Sequence, residues 1–311
     1  MKVGITLPNL GEQATRDNVL NSASQAEKEG FDSAWTITRI LWPIKPQSAY
    51  AATPDGSLPI EYQKVLDPLD VLEYVAANTT KISLGTSVID MFFYTPIMLA
   101  KRYATLDVLS QGRVIAGLGL GWSKDEYQAS NIPFSDRGKR ADEFIEAMKK
   151  IWADDVAEFK EKYYTIPASK IEPKPIQKPS IPIYLGGFSR NTFSRIIKYD
   201  LNGWLGVVGG PLDYLENSMK SMKEQANRAG KNPDNFRTIV LTYPNVREGQ
   251  SSKKDESRFP LSGSIDEIGS DIQRIKRMGV DHIAFGYNFV QIGRDVNKMI
   301  EISKQLSAFT R

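Results

Sequence analysis

The sequence predicts a closed (β/α)8 barrel, or TIM barrel, that forms one α/β domain over residues 1–311. Two observations predict this fold. Helical and strand-like segments alternate along the whole chain, and strict alternation is typical of a parallel sheet. The strand–helix pair occurs eight times, which favours a closed barrel over an open, doubly wound sheet. No change in composition marks a linker to a second domain.

Short apolar runs predict the strands, and apolar residues at helical spacing predict the helices. Local signals support the helix ends: Thr95 and Pro96 suit an N-cap and a first helical residue, and Ser264 with Glu267 has the spacing of a capping box. Gly30 suits the end of the first helix. The strands are expected at 3–7, 33–37, 81–88, 113–118, 183–185, 204–208, 237–243 and 280–285. The helices are expected at 15–29, 69–78, 96–110, 141–152, around 193–197, and at 211–229, 264–279 and 293–308.

Three segments are too long to be plain connections, and we interpret them as insertions at 39–67, 154–182 and 245–263. The first and the third follow strands, so both should lie on the face where barrel enzymes keep their sites. We expect the first to form a wall against a substrate and the third to act as a mobile lid. The second is rich in proline and should be extended.

Composition excludes several classes of function. Lys and Arg number 40 against 37 Asp and Glu, so charge gives no reason to expect a nucleic acid. The chain has no cysteine and one histidine, which argues against a disulfide framework, an Fe–S cluster and a histidine-rich metal site. No stretch reaches the roughly 20 apolar residues of a membrane span. Strand-like sequence begins at Val3 and leaves no room for a signal peptide. We therefore expect a cytoplasmic protein that binds neither metal nor membrane.

A run of glycines ends the strand predicted at 113–118. Gly117, Gly119 and Gly121 leave that strand end without side chains, and polar residues follow at once. Such a run lets a flat or bulky ligand approach the backbone closely. It is equally typical of a bulge or of tight packing inside a barrel. The residues alone leave both interpretations open.

The segment Gly186-Gly187-Phe188-Ser189-Arg190 favours a phosphate site. A strand ends there and a helix begins, so free backbone N–H groups, a hydroxyl and a guanidinium converge. The alternative is that Ser189 is a simple N-cap and Arg190 a solvated side chain. A flat group beside the first glycines and a phosphate here would together describe a flavin-like cofactor. The single histidine, His282, falls at the start of the last strand, on the opposite face, which argues against histidine acid–base catalysis.

Six motifs resemble the luciferase-like monooxygenase superfamily, and within it the branch that uses the deazaflavin coenzyme F420. They are A-E-K-E-G-F-D-S-A-W, I-S-L-G-T-S-V, P-I-M-L-A-K-R-Y-A-T-L-D-V-L-S-Q-G-R-V, G-L-G-L-G-W-S-K-D-E-Y, P-F-S-D-R-G-K-R-A-D-E-F-I-E-A-M-K-K-I-W and P-I-Y-L-G-G-F-S-R. The resemblance spans most of the chain and is weakest across 39–67 and 245–263. It implies a (β/α)8 barrel, usually a homodimer, that holds a flavin or deazaflavin across the strand ends.

The resemblance also implies individual cofactor contacts. Ser87-Val88 occupies the position where relatives have a non-proline cis peptide behind the deazaflavin ring. Many relatives have Asp-His where this chain has Thr38-Arg39, and the sugar-phosphate dehydrogenases of this group have a glutamate where it has Trp122. Sugar-phosphate dehydrogenase activity is therefore not expected. The expected cofactor contacts are Thr38, Ser87, Val88, Asp90, Leu120, Gly121, Asp125, Gly186, Gly187, Ser189 and Arg190.

The function that this resemblance favours is hydride transfer between F420 and a small organic substrate. We take Glu126, Arg39 and Tyr287 as candidate catalytic residues, with Glu126, Tyr287 or solvent as the proton source. Arg39 is either a surface charge or the partner of an anionic cofactor or substrate. The first alternative is an FMN-dependent monooxygenase on the same scaffold. The others are a flavin-binding protein without turnover and an unrelated barrel lyase that acts on phosphate substrates.

Overall fold

The computed structural model describes residues 1–247 and 258–311 and confirms the closed barrel. Each barrel strand pairs in parallel with its two neighbours, and β8 closes the ring by pairing with β1, where Lys2 faces His282. The barrel strands are β1 Lys2–Thr6, β2 Ser33–Thr36, β3 Ser83–Thr86, β4 Val114–Gly119, β5 Ile183–Gly186, β6 Gly203–Val207, β7 Arg237–Thr242 and β8 His282–Phe285.

Among the described residues, eight long helices cover the outside of the barrel. Two of them begin with the predicted N-caps. Thr95 accepts a hydrogen bond from Met98 N, and Ser264 and Glu267 form the predicted capping box. The helices are α1 Arg16–Lys28, α2 Pro68–Asn78, α3 Pro96–Leu109, α4 Arg137–Ala153, α5 Arg190–Lys198, α6 Leu212–Arg228, α7 Ile265–Arg277 and α8 Val296–Ser307. None of these helices is long and apolar enough to cross a membrane.

The core has two layers. A small cluster fills the barrel and includes Trp35, Leu205 and Ala284, and a larger one lies between strands and helices. Trp35 needs a glycine opposite it, since a β-carbon on Gly85 would lie 2.3 Å from the indole ring. The sequence thus combines one large side chain with a bare backbone position at the same level of the barrel.

The strand predicted at 81–88 is shorter than expected. β3 ends at Thr86, the Ser87–Val88 peptide is cis, and Ile89–Asp90 then pairs separately with the end of β4. A short helix, Lys124–Ala129, follows β4 and was not predicted, because its six residues are too few for a clear apolar period.

The insertions differ in structure. The 39–67 insertion contains a 3-10 turn, Ile60–Gln63, and is attached to the end of β1 by a bridge between Leu10 and Val65. The 154–182 insertion is not wholly extended, because Ala157–Lys160 and Thr165–Ser169 form an antiparallel hairpin. In the third, Asn245–Val246 pairs with Ser262–Gly263. The lid predicted there falls largely on residues 248–257, which lie outside the described residues.

Candidate active site

Two adjoining cavities open at the carboxyl ends of the strands. The central cavity, of about 560 Å³, lies over β3 and β5–β7 and is covered by the 39–67 insertion and by Phe259–Leu261. The side cavity, of about 640 Å³, lies between the start of α5 and the first half of α6. Phe188 and Gly209 line both. A ligand with a flat end and a long tail could therefore occupy both.

The floor of the central cavity is the Ser87–Val88 segment. Both residues line the cavity, and the expected cis peptide is present. Val88 fits between two glycines: a β-carbon on Gly119 would lie 2.4 Å from Val88 Cγ2, and one on Gly186 would lie 2.9 Å from Cγ1. Two glycines on neighbouring strands therefore allow a branched side chain to support the cavity floor.

This arrangement decides between the two interpretations of the glycine run. A β-carbon on Gly117 would lie 1.8 Å from the carbonyl oxygen of Thr86, and one on Gly121 would lie 3.1 Å from the ring of Tyr127. The β-carbon positions of Gly117 and Gly121 are thus filled by Thr86 of β3 and by Tyr127, as the packing interpretation expects. The cofactor contact expected at Gly121 stays a prediction.

The predicted phosphate segment lies at the junction of the two cavities. Gly186 and Gly187 line the central cavity, and the exposed Arg190 lines the side cavity. Ser189 is the N-cap of α5, accepting a hydrogen bond from Thr192 N at 3.2 Å. The N-cap interpretation is thus correct for Ser189, while Arg190 stands beside an anion-favouring helix start.

Gly209 marks open space next to this helix start. It lines both cavities, and among the described residues no atom outside its chain neighbours lies within 4 Å of the position its β-carbon would take. Its φ lies outside the left-handed range. The backbone therefore does not require glycine there. The residue keeps the passage between the cavities free, as a phosphate-bearing flavin would require.

Arg39 and Glu126 form a buried ion pair beside the central cavity. Nε and Oε1 are 3.4 Å apart, and the two side chains are 4% and 1% exposed. Glu126 also accepts a hydrogen bond from Ile40 N at 2.9 Å and so fixes the start of the 39–67 insertion. Burial raises the pKa of Glu126, and the positive charge of Arg39 opposes that rise. The surface-charge alternative for Arg39 is wrong.

Three buried polar atoms near this pair have no hydrogen-bond partner among the described residues: Thr38 Oγ1, Arg39 Nη2 and Glu126 Oε2. Buried polar groups are nearly always paired, so unpaired donors and acceptors together indicate a missing polar partner. Donors and acceptors of this kind suit the polar edge of a ligand. Thr38, Arg39 and Glu126 do not themselves line the central cavity. The guanidinium of Arg39 lies 4.7 Å from the ring centre of Trp122, and Trp122 contacts Tyr50, which does line it.

Asp90 is the third charged group of this cluster. Burial raises the pKa of Asp90 to about 7, the negative charge of Glu126 adds to the rise, and Arg39 and the N–H of Gly121 oppose it. This carboxyl group can therefore hold or release a proton near neutral pH.

Leu120 and Asp125 have structural partners. The carbonyl of Leu120 accepts a hydrogen bond from the hydroxyl of Tyr127. Asp125 accepts one from Gln47 N at 3.0 Å, which attaches the 39–67 insertion to the short helix. Neither residue lines the two cavities. Their expected cofactor contacts stay predictions.

Tyr287 does not face the site. It is fully buried, and its hydroxyl accepts a hydrogen bond from Ser303 of α8 at 2.9 Å. The side chain thus points into the layer between barrel and helices. A strand-end position alone does not decide this direction, because side chains alternate between the two faces of a strand. The candidate role of Tyr287 as proton donor is wrong.

The predicted site residues do not include three aromatic residues that line the central cavity, Tyr50, Tyr243 and Phe289, or Tyr62, which packs behind them. Tyr62 contacts Tyr50 and Phe289, with ring centres 5.8 and 5.2 Å apart, and Phe289 contacts Tyr243 at 5.3 Å. The clustering of aromatic residues in the 39–67 insertion, and a tyrosine directly after β7, were the available signals. We call Tyr50, Tyr62, Tyr243 and Phe289 the aromatic wall.

His282 lies at the opposite end of the barrel, as expected. Its Nε2 is 2.8 Å from Ser33 Oγ, which also accepts a hydrogen bond from Trp35 Nε1 at 2.6 Å. Burial lowers the pKa of His282 to about 4. The histidine is therefore neutral and structural.

The comparisons with known proteins agree with this geometry. The family model described as luciferase-like monooxygenase matches residues 1–284, and the chain belongs to that family. An uncharacterised protein of Mycobacterium tuberculosis is 35% identical over 185 residues, which cover 59% of this chain and 65% of that protein. An F420-dependent glucose-6-phosphate dehydrogenase of Amycolatopsis mediterranei is 28% identical over 264 residues, 82% of this chain and 74% of the relative.

Solved structures share the fold over the full chain. A monooxygenase from Streptomyces bottropensis superimposes with a TM-score of 0.78 at 18% identity, covering 99% of this chain and 98% of the other. An F420-dependent secondary alcohol dehydrogenase, solved with an F420-acetone adduct, gives 0.77 at 20% identity, covering 100% and 99%. At these sequence identities the two structures show only that the fold is shared.

Proposed function

We propose that the protein is an F420-dependent oxidoreductase that transfers a hydride between the deazaflavin and a small organic substrate. The observation that carries the proposal is the continuity between the Ser87–Val88 floor and the start of α5 through the passage at Gly209. One relative that aligns with 82% of the chain is named as an F420-dependent enzyme. The deazaflavin ring would lie on Val88, and its phosphate would face Ser189 and Arg190.

F420, when bound, supplies hydride chemistry, and the chain supplies position and shielding. Val88 would support the ring from below. The aromatic wall would exclude water and hold the substrate against it. The Arg39–Glu126 pair would fix the start of the insertion that carries part of this wall. Proton delivery by Glu126 or Arg39 stays a prediction, since neither residue lines the central cavity.

FMN-dependent monooxygenation is the second candidate. The matching family model is named for monooxygenases, and a monooxygenase is among the similar structures. FMN also carries a phosphate, so Ser189 and Arg190 suit it equally.

The test is equilibrium titration of the protein with F420 and with FMN, followed by anaerobic reduction of the bound cofactor. Tighter binding of F420 is expected. Tighter binding of FMN, with oxygen consumption after reduction, would favour the monooxygenase. Binding of either without reaction towards any carbonyl substrate would favour the flavin-binding protein without turnover.

We also propose that the protein is a homodimer that acts on a small molecule. The outward face of α3 carries two exposed apolar pairs, Ile97–Met98 at its start and Val108–Leu109 at its end, which a second copy could cover. Light scattering at micromolar concentration tests this, and charge substitution at Met98 and Leu109 should give a monomer. The cytoplasmic location stays a prediction.

A further inference from the structure

The central cavity is apolar at its sides and contains one charged residue among the described residues that line it. Leu205, Val207 and Leu241 form the wall nearest the barrel, and Phe188, Phe259 and Phe289 lie around the opening. The charged residue is Glu61, which makes no ion pair with any described residue. Residues 1–247 and 258–311 therefore offer no cation to an anionic substrate in this cavity.

Tyr243 places an unused hydrogen-bond donor in this cavity. It follows β7, lines the cavity, and packs its ring over Gly286, where a β-carbon would lie 2.7 Å from the ring. Its hydroxyl makes no hydrogen bond to the rest of the described chain. The hydroxyls of Tyr50 and Tyr62, by contrast, lie 3.3 Å from each other. Burial raises the pKa of Tyr243, and the neighbouring Tyr50 adds to the rise, so the phenol stays protonated at neutral pH.

A protonated phenol above an apolar floor suits one kind of substrate group. A neutral carbonyl oxygen accepts a hydrogen bond and needs no counter-ion. A carboxylate or phosphate would lose its hydration without a cation in return, and would also face Glu61.

From this arrangement we propose that the central cavity selects an uncharged, mainly apolar carbonyl compound, whose oxygen Tyr243 binds, and that Glu61 disfavours anions. The proposal deepens the function proposed above and rests on it for the hydride donor. The reduced cofactor, when bound, would supply the hydride that forms the new C–H bond at the carbonyl carbon, and it would be oxidised in return. The C=O π pair moves to oxygen, which takes the phenolic proton of Tyr243. The tyrosinate is then reprotonated from solvent.

Three probes built on one six-membered ring test the recognition. They are cyclohexanone, methylenecyclohexane, which lacks the oxygen, and 4-oxocyclohexanecarboxylate, which adds a charged group. Their affinities are measured by ligand-observed NMR titration of the free protein and of the protein saturated with F420 or FMN. Cyclohexanone should bind about 2- to 13-fold more tightly than methylenecyclohexane, the range of one net hydrogen bond. The carboxylate should bind at least about tenfold more weakly than cyclohexanone.

Single substitutions test whether Tyr243 and Glu61 cause these differences in probe affinity. Tyr243→Phe should make cyclohexanone and methylenecyclohexane bind equally, and should lower the rate of cyclohexanone reduction more than it changes affinity for the cofactor. Glu61→Gln should narrow the gap between cyclohexanone and the carboxylate. Tyr184→Phe is the matched control, because Tyr184 lies in the barrel near the strand starts, beside Arg237 and Asp281, and lines neither cavity. It should change none of these ratios.

Tighter binding of the carboxylate than of cyclohexanone would overturn the proposal, as would an unchanged probe ratio in Tyr243→Phe. Because the probes are also titrated without cofactor, this outcome is separate from failure of the proposed function. That failure would appear as absence of binding for both F420 and FMN, while the probe ratios could still hold.

Discussion

Arg39 is paired with Glu126 through Nε and Oε1, 3.4 Å apart, where the chain buries both side chains almost completely. Removing one partner of such a pair leaves a buried charge without compensation. We expect Arg39→Ala to lower the free energy of unfolding by about 3–5 kcal/mol, measured by urea denaturation at neutral pH.

The double variant Arg39→Met with Glu126→Gln is the control for this first prediction. It removes both charges, while the glutamine oxygen can still accept the hydrogen bond from Ile40 N. It should recover most of the lost stability. A cost below about 1 kcal/mol for Arg39→Ala would show that water reaches the pair and screens it, as at an exposed site.

The second prediction concerns Gly209. Its β-carbon position is open and its φ is ordinary, so Gly209→Ala restricts the unfolded chain without strain. The variant should gain about 0.4–1 kcal/mol in unfolding free energy without cofactor. Gly209→Val should then lower cofactor affinity at least about tenfold, because the branched side chain fills the passage. A gain of stability in Gly209→Ala together with a loss of cofactor affinity in Gly209→Val would support an open passage at this position. Equal cofactor affinity in the wild type and both variants would show that the cofactor does not cross the passage.

The fold could be predicted because its signals are local. Ser264 and Glu267 form a capping box, and each helix has its own apolar period. Both signals depend only on residues close in sequence, so they can be recognised without the structure. The glycine run could not be resolved in this way. What Gly119 makes room for is Val88, which reaches it from the segment after β3, and no local pattern shows which atom fills a missing side chain.

The candidate site likewise contains residues that local sequence signals could locate and residues whose side-chain direction they could not predict. Ser87, Val88 and Arg190 could be located from motifs and from a strand–helix junction, and they line the cavities. Tyr287 and Tyr243 both follow a strand, yet one hydroxyl points towards α8 and the other residue lines the central cavity. That difference depends on which side of its own strand each residue occupies, and the exact strand ends are the least predictable part of a sequence analysis.

The third prediction is a pH dependence due to Asp90. Its pKa is about 7 in the folded protein against an ordinary 3.8, so the folded state keeps a proton that the unfolded chain has released. This contribution to stability is complete below pH 3.8 and is lost as pH rises through 7. Relative to Asp90→Asn, the wild type should lose at most about 1.4 kcal/mol of unfolding free energy per pH unit between these values. Parallel stability curves for the two proteins would contradict the assignment.

The fourth prediction concerns His282, whose pKa is lowered to about 4 from the ordinary 6.5. The neutral histidine contributes stability above pH 6.5, and this contribution is lost as pH falls towards 4. His282→Gln should weaken the acid dependence of unfolding and leave the pH profile of turnover unchanged. A loss of turnover beyond about 100-fold, the scale of a missing general acid or base, would place this histidine in the reaction.

The fifth prediction tests the phosphate end. Arg190 is exposed, lines the side cavity and begins α5 directly after its N-cap. A hydrogen bond to a charged group contributes about 1.5–3 kcal/mol, so Arg190→Ala should weaken binding of F420 or FMN by roughly 10- to 150-fold. Lys198→Ala is the matched control, because it removes a positive charge from the other end of the same helix and should have little effect.

Riboflavin, which is FMN without its phosphate, separates the two explanations of any loss at Arg190. If Arg190 binds the phosphate, riboflavin should bind the wild type and Arg190→Ala about equally, because the partner of the guanidinium is already missing. If Arg190 is a solvated helix residue, the substitution should change unfolding free energy by less than about 0.5 kcal/mol and leave FMN affinity alone. A loss of affinity for riboflavin as large as that for FMN would show that Arg190 shapes the ring site, and the phosphate would then have to be placed elsewhere along the side cavity.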